Sequence, residues 1–127
     1  MSSNKGRATR RLEKHADDDR QFGFVFDALL ATGVTITDVG EITIEVVEDP
    51  GTLEGASPSL TVANDQSNAT GFTDDAGNTV PIGKAVLADV AGGVASTSNS
   101  VVYLVTIRVT TSDDETLAGG FEVEVWK

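Results

Sequence analysis

Val101-Val102-Tyr103-Leu104-Val105-Thr106-Ile107-Arg108-Val109-Thr110-Thr111 and, after a short polar break, Phe121-Glu122-Val123-Glu124-Val125-Trp126 decide the fold class. In the first segment every odd position from Val101 to Val109 is apolar. The even positions begin apolar at Val102 and Leu104 and turn polar at Thr106, Arg108 and Thr110. In the second, Phe121, Val123 and Val125 alternate with Glu122 and Glu124. Side chains along a strand point alternately to opposite faces, so each segment has one core face and one mostly wet face. Ser112-Asp113-Asp114-Glu115-Thr116 between them is the polar connection a hairpin needs.

Outward from this hairpin the same period recurs. Phe22, Phe24 and Phe26 fall on one face of a strand over Gln21–Asp27, which places three of the five phenylalanines there. Aromatic core packing is the reading, because a base-stacking platform needs basic neighbours that this segment lacks. Ala28–Gly33 is too short for a regular helix and reads as a turn ending at Gly33. Val34–Thr37 and Glu41–Val47 read as two strands separated by Asp38-Val39-Gly40, and Glu48-Asp49-Pro50-Gly51 is a strong turn signal. Leu60 and Val62 fit a short inward-facing strand. Asp74-Asp75-Ala76-Gly77-Asn78 is a turn before Thr79–Ile82, and Lys84–Val90 reads as a strand covered on both faces. Ala91–Ser100 is a loop rich in Gly, Ser, Thr and Asn. Seven or eight short strands with turns every eight to twelve residues, and no long helix, predict an all-β, antiparallel β-sandwich. An immunoglobulin-like topology leads; a jelly roll or small barrel is the rival. The cysteine pair and buried tryptophan of antibody domains are missing.

Charge divides the 127-residue chain unevenly. The first fourteen residues carry Lys5, Arg7, Arg10, Arg11 and Lys14 against Glu13, a net +4, whereas from Gln21 onward three basic residues face sixteen acidic ones, a net −13. Residues 1–20 hold a single large aliphatic side chain after Met1, Leu12, and are predicted to form a flexible N-terminal arm. Arg10–Ala16 is expected to take up one or two helical turns only against a partner. Residues 21–127 are predicted to form the sandwich domain. The five basic residues of the arm are the candidate partner-binding residues, since a basic segment seeks an acidic surface.

No catalytic or ligand-binding pattern stands out along the chain. There is no cysteine, and the single histidine, His15, lies in the arm, so neither a nucleophile–base pair nor a zinc site is expected. Asp17-Asp18-Asp19 lacks the alternate spacing and glycine turn of a calcium loop. Gly92-Gly93 is not followed by the lysine-bearing helix of a phosphate loop. Paired acidic residues at Asp74/Asp75 and Asp113/Asp114 carry little weight in so acidic a chain. Asn68-Ala69-Thr70 matches a glycosylation acceptor by chance, given the lack of a secretory signal. No enzymatic activity, cofactor or metal is expected, and the acidic body argues against direct binding to nucleic acid or membrane. No apolar run approaches the roughly 18–20 residues that span a bilayer, so the chain reads as made in the cytoplasm and soluble.

Two stretches go further. D-D-D-R-Q-F-G-F-V-F-D-A-L-L-A-T-G-V-T-I within residues 17–37, and the Gly-Gly loop, tyrosine strand, Thr-Thr-Ser-Asp turn and final strand within residues 89–125, resemble the fibre–tail adaptor family of small bacteriophage virion proteins. Three positions depart from that pattern: Ala28 replaces a tryptophan, Val34 an aspartate and Asp114 a glycine. The resemblance implies an immunoglobulin-like structural component of a virion, made in the host cytoplasm, that joins tail fibres to the tail or head-to-tail region. Its implied partners are other virion proteins (tail, fibre or portal-region subunits) in a homo-oligomeric or symmetrically repeated arrangement. The alternatives are a capsid decoration protein and a carbohydrate-binding β-sandwich module. The second is weakened by a supply of planar aromatics limited to Trp126 and an inward-reading Tyr103.

Overall fold

The computed structural model describes residues 5–7, 12–15, 18–48, 60–74, 77–93 and 101–126. Ten strands occur among them: β1 (Lys5–Arg7), β2 (Leu12–His15), β3 (Arg20–Val25), β4 (Ile36–Glu48), β5 (Leu60–Ser67), β6 (Phe72–Thr73), β7 (Thr79–Val80), β8 (Ala85–Gly92), β9 (Val101–Thr111) and β10 (Thr116–Trp126). One four-stranded sheet has the order β1-β3-β8-β5 and the other β2-β10-β9-β4, while β6 and β7 form a separate small hairpin. The main core lies between the two large sheets, so the molecule is an all-β sandwich, as the alternation predicts.

The β9–β10 hairpin forms in the expected register, with Phe121 opposite Val105 and Val123 opposite Tyr103. Tyr103, Val105, Ile107, Phe121, Val123 and Val125 are all buried on its inner face. From the other sheet Phe22, Phe24 and Phe26 meet them. The Phe24 ring stands edge-on to Phe121 with centroids 5.0 Å apart, and Phe26 is tilted against the same ring at 5.3 Å. Such pairs add about 0.5–1.5 kcal/mol beyond the area they bury. Gly119 makes room for this stack: a Cβ there would lie 2.7 Å from Cε2 of Phe26.

The 112–115 turn is built around Thr111. Its amide donates to the Glu115 carbonyl (2.9 Å), its Oγ1 accepts from the Glu115 amide (3.1 Å), and its hydroxyl donates to the Asp113 carboxylate. Asp114 takes a left-handed conformation (φ 63°), which short polar side chains tolerate better than most. The hydroxyl of Thr111, and then the Glu115 side chain, hold Asp113 below the usual carboxylate range. A hydrogen bond to Asp113, reinforced by its charge, pushes Glu115 up.

Three readings change. The boundary expected at residue 20 is not where the sheets begin, since β1 pairs parallel with β3 and β2 parallel with β10. Over Leu12–His15 the chain is a strand rather than a helical turn: β10 offers a full main-chain edge, and Leu12, 3% exposed, enters the core beside Val123. The expected break at Asp38–Gly40 is instead a register shift between Val39 and Ile42 inside one continuous β4. At the near end of that shift Gly40 lies close to β9, where a Cβ would sit 3.3 Å from the Arg108 carbonyl oxygen. The expected covering of β8 on both faces is seen at Ala85, which packs with Val25, Val80 and Phe72 in a second, smaller cluster under the β6–β7 hairpin. The weakly patterned residues 51–59 and most of the 91–100 loop lie outside the described residues.

One end of the sandwich is tied by Asn68. Its Nδ2 donates to the carbonyls of Thr70 and Pro81 (both 2.9 Å), and its Oδ1 accepts from the Ala85 amide (2.9 Å). Its backbone N–H donates to the Ala85 carbonyl and its carbonyl accepts from Gly83 (both 3.0 Å). Gly83 has φ +77°, and a Cβ there would meet Thr35 at 2.7 Å. The Gly83 carbonyl in turn accepts from Ile36 at the start of β4 (2.8 Å), Lys84 Nζ donates to the Val34 carbonyl, and Thr35 and Ser112 exchange two hydrogen bonds. Three separate connections are thereby fixed to one another. Asn68 is 1% exposed with both amide hydrogens engaged, which leaves no acceptor nitrogen for a glycan.

Candidate assembly surface

The five basic residues singled out in the sequence do not form one patch. Lys5 and Arg7 belong to β1, in register with Gly23 and Val25 of β3. Lys14 lies in β2 opposite Val125, is 2% exposed, and donates from Nζ to the His15 carbonyl at 2.7 Å. Its ammonium is therefore seated in the sandwich margin, not displayed as surface charge. Arg10 and Arg11 lie outside the described residues. The N-terminal segment thus engages the body through main-chain edges and through Leu12. Sequence reasoning missed this because Lys14 occupies the inner-face position that an apolar residue normally marks. The alternation of Leu12 and Lys14 with Glu13 and His15 was the available signal.

Beside β2, the outer face of its sheet is acidic. Glu13 is in register with Glu124, which is opposite Val102, and Glu122 and Glu45 flank Leu104 from either side. Val102 is buried and Leu104 half-buried on this face, which accounts for the apolar start of the even positions in β9. Arg108 is exposed further along the same strand. Where β2 and β10 end together, His15 is in register with Trp126, which is 45% exposed.

Among the described residues no group of three or more His, Asp or Glu side chains is placed to hold a metal ion. Asp74 supports its own hairpin, its Oδ1 accepting from the Asn78 amide at 2.9 Å. Gly93 lies where Val125 and Leu60 crowd the backbone, with a Cβ there 3.0 Å from Val125 Cγ2, so this glycine serves close packing.

Comparison with protein-family models, with curated proteins and with solved structures gives no match. The N-terminal strands β1 and β2 thus lie along one margin of each large sheet of an acidic body.

Proposed function

We propose that the chain is a non-enzymatic structural component of a bacteriophage virion. In this reading it joins tail fibres to the tail or head-to-tail region through contacts between subunits. The observation that carries the proposal is the way the basic N-terminal segment is used, as main-chain edge strands on both sheets of a strongly acidic body. A segment recruited in this manner can bridge subunits without a preformed pocket, and symmetric repetition lets many modest contacts act together.

The immunoglobulin-like topology belongs to the same proposal. In that arrangement strands A, B, E and D share one sheet and C, F and G the other. The orders β1-β3-β8-β5 and β4-β9-β10 correspond to these sets, and β2 adds a further edge strand. The parallel pairing of β1 with β3 is not part of that correspondence.

The test replaces Arg7, Arg10 and Arg11 with glutamine and follows incorporation into particles assembled from the genome that encodes the chain. The variant should keep its melting temperature yet fail to co-sediment with particles, with partial recovery at low salt, where the Debye length is longer. Incorporation equal to the parent removes the arm from the assembly contacts and leaves them to the sandwich surface, whereas absence of the parent chain from purified particles removes the virion reading. The exposed Trp126 beside His15 favours one alternative, a carbohydrate-binding module. That reading requires saturable glycan binding abolished by Trp126→Ala.

A further inference from the structure

We propose that the N-terminal strands exchange between two copies of the chain, β2 of each copy lying along β10 of the other. The inference deepens the assembly reading, on which it rests for the arm's role, and it names the partner: a second copy of this chain.

Three observations lead there. The first is what β2 offers. Four consecutive parallel pairs, Leu12 with Val123 through His15 with Trp126, join it to β10, and Leu12 fills a place in the core. The strand pairing involves β10 alone, so an incoming β2 from another copy reproduces it unchanged. Exchange of an identical element is a low-cost route to a dimer for this reason.

The second is the hinge. The chain leaves one sheet at His15 and enters the other at Arg20, across sheets that pack about 10 Å apart. Asp17, Asp18 and Asp19 are adjacent in this connection. The Asp18 amide donates to the His15 carbonyl at 3.0 Å, and Arg20 offsets the charge of Asp18 at 3.0 Å. Three like charges in so short a connection repel one another less when it is extended. An extended connection carries β2 away from its own body.

The third is the asymmetry of the sheet margins. At the margins away from the arm, β4 shifts register against β9 in three places and β5 shifts once against β8. Such irregularities discourage strand addition. At the arm-side margins β3 and β10 pair with β1 and β2 without any shift. The two regular edges, the ones suited to an incoming strand, are those the arm occupies. Opposite net charges on arm and body, +4 and −13, favour the encounter of one copy's arm with another's body.

The absence of cysteine permits a clean test. Glu13 and Glu124 are register partners on the outer face, at a spacing a disulfide can bridge. Glu13→Cys and Glu124→Cys are made as separate single variants, one of them tagged, then unfolded together, refolded as a mixture and oxidised. A covalent dimer containing one chain of each kind is expected from the mixture and not from either variant alone. The same-chain double variant serves as the geometric control, and light scattering of the unmodified protein gives an independent reading. If the double variant closes only within single chains while the mixture stays uncross-linked, exchange is wrong. A protein that scatters as a monomer at every concentration, or as a dimer that gives no mixed cross-link, overturns it equally. Either failure, combined with arginine-dependent incorporation into particles, leaves the assembly reading standing and removes only the exchange.

Discussion

Gly119 and Gly120 are adjacent in β10, and replacing each with alanine should shift stability in opposite directions. At Gly119 the added Cβ meets Phe26 Cε2 at 2.7 Å, Phe26 Cζ at 2.9 Å and Phe121 Cε2 at 3.0 Å, against a carbon–carbon optimum of about 3.5–4.0 Å. Phe26 has no free space to retreat into, being fully buried and held against Phe121. Overpacking of this kind costs about 1–3 kcal/mol. Relief of glycine's backbone entropy returns about 0.5–1 kcal/mol, so Gly119→Ala should destabilise by about 1–2 kcal/mol. At Gly120 the nearest atom is Leu104 Cδ1 at 3.4 Å, an ordinary contact, on an exposed face. Gly120→Ala should therefore stabilise by about 0.5–1 kcal/mol. Urea unfolding of both variants beside the parent measures the two shifts, provided the slopes agree. In a Phe26→Leu background the smaller side chain should take back part of the Gly119→Ala penalty, and a double-mutant cycle reads that coupling. Equal or greater stability of Gly119→Ala relative to the parent would refute the packing account of this glycine.

Asn68→Ala should cost about 2–3 kcal/mol, because it leaves the buried Ala85 amide without its acceptor and frees two carbonyls. A thermal midpoint matching the parent would show that the three connections are held by other means. Glu115→Gln bears on pH. The raised Glu115 favours the protonated form in the fold, so its contribution is complete below its unfolded pKa and lost as pH rises through the folded one. The lowered Asp113 behaves oppositely, contributing above its unfolded pKa and losing that contribution as pH falls through the folded one. Glutamine keeps a donor towards Asp113 at every pH, so the variant should gain on the parent as pH climbs from acid to neutral. Urea midpoints measured across that range check the trend, and a difference that does not change with pH contradicts it.

How much of this was legible in the sequence depended on whether a residue's role followed from its own strand. Parity alone placed Tyr103, Ile107, Phe121 and the phenylalanines of β3, because burial on one face of a strand repeats every second residue. Parity also misled. Lys14 lies on an inner face with a charged head that reaches a carbonyl, which reads as surface in a one-dimensional pattern. Asp38-Val39-Gly40 carries turn residues, yet β9 continues past it, so the irregularity is absorbed as a shift in one strand. The role of Asn68 was out of reach altogether, because Pro81 and Ala85 become its neighbours only after β8 is in place. The candidate site was legible in charge and hidden in geometry. The contrast between arm and body was evident, but the edges of β3 and β10 that receive the arm are defined by strand order, which no local pattern encodes.

The small cluster beneath the β6–β7 hairpin has a kinetic meaning. Phe72, Val80, Val25 and Ala85 meet on the outer side of the first sheet, while Phe24 and Val86 face the main core from the same two strands. The hairpin covers few apolar groups and has only two strand pairs of its own, so it can lift away without dissolving the sandwich. Regions of this kind open sub-globally at a free energy below that of complete unfolding. The amides of Phe72, Thr73, Thr79 and Val80 should therefore exchange early, and those of Tyr103, Val105 and Ile107 last, in native-state hydrogen exchange. A native state of this kind is expected to breathe at its outer hairpin on a shorter clock than it unfolds, so that no single barrier describes it.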